Sequence, residues 1–396
     1  MATSNQQPLT TPRGGASHTC DAETTGEAKR QRDMRFGFVY DSSYNHITFL
    51  YLTRAVAEDC RFHLDLNVLK PNFDIEQLLS RTTEEDACPE AILHETGSPG
   101  LPRGLNSVSI PTALLDVDTF GWTSLRLKWA MLFDYVFTWH PSYVRLFQEA
   151  GHPRVFALPH AVDARFCLGA DVDSERLFDI GFVGHSGRPE YAARDRVNAC
   201  LAKRFKANDF GRSYTKDEVL EIYKESCIVV NVSRGDFPQE ANMRCYEAMA
   251  SGALLLTGMP TELTEWGLRE GEHFIGWRSE EEIPDLVDHF LQRREQRRSI
   301  AQAGQERTLQ EFTYQRCVQT ITDALQSGNG QLFAPARQWP AEEIHLLYLS
   351  YYHRYRLHSA AFEEFRHLRC ANSKTYCKGL PMVLKTLRHA VKWTLF

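Results

Sequence analysis

Several features that would settle a function at once are missing from this sequence. No apolar run reaches the length needed to cross a bilayer, and the first residues are polar, so neither a membrane span nor a signal peptide is expected. The ten cysteines are scattered singly from Cys20 to Cys377, with no CxxC pair and no Cys/His cluster. That spacing argues against disulfides and zinc and for reduced thiols in a cytoplasmic protein. Positive charge is also in deficit. A net charge of −6 offers no basic field for nucleic acid, which is not expected as a partner. Neither GFVYDSS nor GFVGHSG carries the dinucleotide fingerprint, so a nucleotide-dependent oxidoreductase lacks its motif. No internal repeat is apparent.

What is present is a chain of 396 residues, enough for two domains with separate cores. Residues 1–33 are rich in Thr, Ser, Gly, Gln and charge, the composition of a disordered tail. From Phe36 onward short apolar runs alternate with helix-period segments, which predicts α/β organisation with parallel sheets. Strands are expected at Phe36–Tyr40, Arg61–Leu69, Ala91–His94, Ile110–Val117, Asp134–His140 and Val155–His160 of a first domain. A second domain is expected to hold strands at Phe178–Val183, Lys206–Gly211, Ile228–Val232, Ala253–Leu256 and His273–Trp277. The charged segments 280–303 and 305–326 predict solvated helices. The aromatic, basic stretches after Gly330 predict further helices, of which 380–396 either packs in the core or docks on a membrane or partner.

The densest chemistry lies between Cys227 and Gly258, reading CIVVNVSRGDFPQEANMRCYEAMASGALLLTG. A β-branched strand, a loop with Asp236, Pro238 and Glu240, a short helix and a second apolar run make a crossover unit of a parallel sheet. In such a sheet the ligand crevice lies beyond the carboxyl ends of the strands, where helix N–H groups favour phosphate. Glu247 shares a helix face with Met243 and could accept from sugar or ribose hydroxyls; a solvated surface role is the plainer alternative. Gly184-His185-Ser186-Gly187-Arg188, following a strand, is a candidate diphosphate cradle, with Arg188, Arg194 or Arg196 to neutralise charge. Asp116-Val-Asp118 matches a DxD metal motif, but capping or hydrogen bonding is the ordinary role of such residues. His140 and His160 close strands where side chains can face a cleft, and read first as capping or buried histidines.

The wording NMRCYEAMASGALLLT after VVNVS and before TELTEWG resembles the nucleotide-sugar half of GT-B glycosyltransferases, and within them the CgeB-like group. DYVFTWHPSYVRLFQEAG followed by VFALPHAVD resembles the last segment before that family's interdomain link. The resemblance implies two Rossmann-like domains facing a cleft: 34–162 on the acceptor side, 163–327 for the nucleotide sugar, and a helical extension over 328–396 packing back on the first. It implies that Glu247 holds the donor ribose and that the 184–188 loop faces the donor diphosphate. A second acidic residue of the family contacts the transferred sugar, but here Glu240 lies seven positions before Glu247 where the commoner pattern has eight, at Gln239.

The expected function is glycosyl transfer from a nucleoside-diphosphate sugar, a UDP-sugar first, to an unidentified acceptor. By resemblance the transfer is retaining and metal-independent, in a hexosyltransferase-like enzyme with no cofactor beyond the donor. His46, Asp41 and Glu240 are the expected catalytic groups. Gly184, His185, Ser186, Arg188, Asn242, Arg244 and Glu247 are the expected donor contacts. The alternative is a catalytically inert nucleotide-sugar-binding or scaffold protein of the same fold.

Overall fold

In the computed structural model the described residues are 33–40, 47–81, 88–97, 100–117, 119, 122–167, 175–235, 237–368 and 377–385. The expected tail therefore lies outside the described residues except for Asp33, and so does 386–396. Apart from Asp33, the described residues form one compact unit.

Two parallel sheets organise that unit. The first holds β1 (Phe36–Tyr40), β2 (Arg61–Asp65), β3 (Ala91–Glu95), β4 (Thr112–Asp116), β5 (Tyr135–Thr138) and β6 (Val155–Ala157), in the order β2-β1-β3-β4-β5-β6. The second holds β7 (Phe178–Gly181), β8 (Ser226–Asn231), β9 (Leu254–Thr257) and β10 (Ile275–Gly276), in the order β10-β9-β8-β7. Every pairing among the described strands is parallel. Parallel strands must be covered on both faces, which is why their sequences are near-continuous apolar runs. Alternate side chains go to opposite cores. Val39 joins one core and Phe36 and Phe38 the other; Ile228 and Val230 pack on one side of β8 and Val229 on the other.

Three expectations are corrected. The run 61–69 is strand only to Asp65; that side chain then accepts from the Asn67 N–H and caps the helix Leu66–Leu69. Residues 206–211 form a single bridge, Ala207 to Ile180, and then a turn in which the Asp209 carboxylate accepts from the Gly211 N–H. The charged tail of the second domain makes the helices Ile283–Gln292, Arg294–Glu311 and Tyr314–Ser327. None of them is a solvated element: the first two bury Ile283, Val287, Phe290, Ile300 and Ala301 against the second sheet, and the last buries Tyr314, Cys317, Ile321, Ala324 and Leu325 against the face of the first sheet that carries Phe36 and Phe38.

The Val162 N–H donates to the Phe312 carbonyl at 2.9 Å, and Val162 bridges Thr313 in parallel, so the chain leaves the first half and re-enters it at neighbouring points. It then stays there. Asp134, fully buried, accepts from the main chain of Phe333 and Ala334 (2.7 and 2.9 Å), from Arg337 Nε (3.1 Å) and from Thr112 N and Oγ1 (both 2.9 Å). The helix Ala341–Arg354 lays its aromatic face on the side of the first sheet opposite the helix Tyr314–Ser327, in the core that Val39 joins: Tyr352 donates to the Leu101 carbonyl at 2.6 Å, and Tyr355, just past the helix, to that of Thr96 at 2.7 Å.

Candidate functional site

Loops at the carboxyl ends of the two sheets meet, through aromatic rings and through polar side chains. Asn231, the last residue of β8, is the hub on the second sheet. Its amide donates to Thr257 Oγ1 at 2.9 Å, and its carbonyl oxygen accepts from Arg244 Nη1 at 2.6 Å and Asn242 Nδ2 at 3.3 Å. Asn242 is the N-cap of the helix Met243–Ala250, its side chain accepting from the Arg244 N–H at 3.1 Å. These bonds fix the helix start beyond the strands, the end of a helix that attracts anions.

Arg244 reaches from that helix to the strand-end loop of β7. Its Nε donates to the Val183 carbonyl at 2.8 Å, and its guanidinium lies 4.9 Å from the Phe182 ring centroid. A side chain at Gly184 would collide with this guanidinium, so the glycine is there for close approach. Gly187 sits at φ +75°, in the left-handed region, and its N–H donates to Asp195 at 2.9 Å. His185 and Ser186 are exposed. Arg188 is 65% exposed on its side chain and only 3.9 Å from Glu190 in a loose ion pair. Arg194 is instead a strut: it donates to the Val232 and His185 carbonyls, and burial together with Arg244 lowers its pKa to about 10. Arg196 pairs with Glu280 at 2.7 Å.

Glu247 is buried, at 5% exposure, on the same helix as Arg244. Its Oε1 accepts no hydrogen bond from any described residue, and its nearest cation is Lys216 Nζ at 4.0 Å. Burial raises its pKa, with Lys216 and Arg244 pulling it back down and Asp163 pushing it up. Tyr51 from the first half lies near enough for Glu247 to raise its own pKa, and accepts from Arg165 at 3.2 Å.

Glu240 falls in a different group. It clusters with His140, just beyond β5, and His160, beyond β6. His140 Nδ1 is 2.8 Å from Glu262 Oε1, and Glu262 Oε2 accepts from the Ala241 N–H at 2.9 Å, so a buried carboxylate of the second half grips a ring of the first. Phe237 packs edge-on against that ring, 5.0 Å between centroids.

The structure thus gathers Gly184, Asn242 and Arg244 in one place, Glu247 with Lys216 close by, and Glu240 with two histidines. Asp41 and His46 lie outside the described residues. Asp116 makes no open metal motif. It is buried, 3.0 Å from Arg126 and bonded to Thr119, and Asp118 lies outside the described residues. Sequence reasoning gave no role to Lys216, Tyr51 or Glu262. Glu262 stands in the TELTEW phrase, but only the fold shows its carboxylate turned inward. Lys216 follows a readable N-cap, Thr215, with nothing in the local pattern to show what it faces.

Residues 177–323 match a family model described as glycosyl transferase-like. No curated protein matches the chain. Three crystal structures of Anabaena Alr3699/HepE, in complex with UDP and glucose, with UDP, and with UDP-glucose, superpose with TM-scores of 0.52, 0.53 and 0.52. Each is 13% identical, with 74% of this chain and 100% of that chain covered. The architecture is that of the GT-B glycosyltransferases. Within it, the stretch that matches the glycosyl transferase-like model spans the second sheet and the helices that follow it.

Proposed function

We propose that the chain is a CgeB-like glycosyltransferase that takes a nucleoside-diphosphate sugar, UDP as the first nucleotide to test, and transfers the sugar to an acceptor hydroxyl. The observation that carries this is Glu247. A buried carboxylate with an oxygen left unbonded is costly, and the 2′- and 3′-hydroxyls of a ribose are donors of the right kind to satisfy it. In the transfer, the bond from the sugar's anomeric carbon to the diphosphate breaks with its electron pair leaving on the diphosphate. The acceptor oxygen forms the new bond and gives up its proton. Charge gathers on the leaving group, where Arg244, the amides of 184–186 and the start of the helix Met243–Ala250 would stabilise it. With cations and amides already in that place, the transfer is proposed to need no metal on the diphosphate, and retention is proposed with it. Arg188, at the mouth of the loop, is assigned the outer diphosphate oxygens. Glu240 faces the transferred sugar, and Asp41 and His46 remain the proposed acceptor-side groups. A reaction in the cytoplasm fits the buried thiols of Cys245 and Cys317, which form no disulfide.

Glu247→Gln tests the reading, because one charge-assisted acceptor is lost and an N–H is put in its place. The expected cost in donor binding is about 1.5–3 kcal/mol, or about ten- to a hundredfold in affinity. Wild type should lose affinity for a UDP analogue lacking both ribose hydroxyls, whereas the variant should scarcely tell it from UDP. A variant that discriminates as strongly as wild type overturns the assignment. UDP-sugar binding without turnover on any acceptor would leave an inert binding protein.

A further inference from the structure

Glu240 shares its surroundings with two imidazoles. One ligand atom each from His140, His160 and Glu240 lies within 4.8 Å of the others, with both histidines buried and Glu240 half-buried. The His140 ring is held in one orientation by its Nδ1 contact with Glu262 Oε1 at 2.8 Å, which leaves Nε2 on the far side of the ring. Glu262 also anchors the main chain next to Glu240, through the Ala241 N–H at 2.9 Å. A single buried carboxylate therefore orients one member of the cluster and fixes the backbone that carries another. Nearby, the Trp139 and Tyr246 rings lie 6.5 and 6.3 Å from His160, and each buries a polar atom, Nε1 or the hydroxyl, that no described residue bonds.

We propose that His140, His160 and Glu240 form a binding site for a borderline divalent cation of the zinc class. Two imidazoles and one carboxylate suit zinc or cobalt, whereas magnesium and manganese prefer oxygen alone. A ligating histidine whose other ring nitrogen meets a carboxylate is the support such sites use to fix the ring. Ligands about 2.0–2.2 Å from a tetrahedral ion stand ~3.3–3.5 Å apart, so the present spread closes with about 1 Å of side-chain movement. Three protein ligands leave a fourth position for water or for an oxygen of a guest. One consequence rests on the glycosyltransferase reading: Glu240 faces the transferred sugar, so cation and donor contend for one space and zinc inhibits transfer.

The full-length protein, free of nucleotide, is titrated with Co2+ and read by its visible d–d absorption, with Zn2+ displacement as a second readout. One equivalent with tetrahedral-type absorption is expected. His160→Gln and Glu240→Gln should each weaken binding by about tenfold or more, and Glu262→Gln, which acts through His140, by about 10- to 100-fold. Circular dichroism verifies that each variant is folded, and the folded ones decide. Absence of one-to-one binding to wild type, or folded His160 and Glu240 variants that bind Co2+ as wild type does, overturns the site. Competition is scored separately against UDP-sugar. Tight metal binding that leaves donor affinity unchanged keeps the site and removes Glu240 from the sugar, whereas unimpaired donor binding with no metal uptake removes the site alone.

Discussion

Glu247 carries a proton-linked signature that donor binding can report. Its raised pKa means that the empty native state holds the proton more tightly than the unfolded chain does. Its contribution to stability is therefore fully present below the ordinary value of 4.5 and is lost as pH rises through the folded value. Donor hydroxyls favour the ionised form, so donor affinity should climb over the same rise and then level off. Calorimetric titrations of UDP across the acidic range should show this climb for wild type and a flatter profile for Glu247→Gln. At Gly184 the expectation is steric. A methyl there meets the Arg244 guanidinium, so Gly184→Ala should displace that cation and weaken UDP far more than uridine. An equal loss for both ligands would remove Arg244 from the diphosphate.

Among the elements, the link after the helix Tyr314–Ser327 depends on one carboxylate. Removing it in Asp134→Ala strands Arg337 and two main-chain donors, Phe333 and Ala334, and an unfolding cost on the order of 3–5 kcal/mol is expected in urea melts. Asp134→Asn, which keeps an acceptor, should cost less. The strands of both sheets were legible because parallel, doubly covered strands advertise themselves as continuous apolar runs, as in IVV of β8 and LLL of β9. Misreadings came where local chemistry overrode an apolar stretch, as when Asp65 capped a helix inside the run 61–69. The site was legible in part. Glu247, Arg244 and Gly184 stand in two continuous phrases, and the fold places the Arg244 guanidinium against Gly184. The grip of Glu262 on His140 joins residues 122 positions apart, and no periodicity encodes a contact made across two sheets.

At the scale of the whole molecule, the diphosphate is expected to be met by fixed cations and amides rather than by a metal, so transfer from a UDP-sugar should persist in excess EDTA. Loss of donor binding on chelation, restored by manganese, would sink that expectation. The molecule's path through space has a different consequence, for its birth on the ribosome. The first sheet is synthesised early, yet the core on its β1 face needs Tyr314, Cys317 and Ile321, and the core on its other face needs Tyr348, Tyr352 and Phe365. Everything from Val162 to Phe312 intervenes, and its two ends lie side by side. The first sheet must therefore wait, half-covered, for the final quarter of the chain. A nascent protein stalled before residue 341 thus exposes an uncovered sheet face, and it is there that a chaperone would find it.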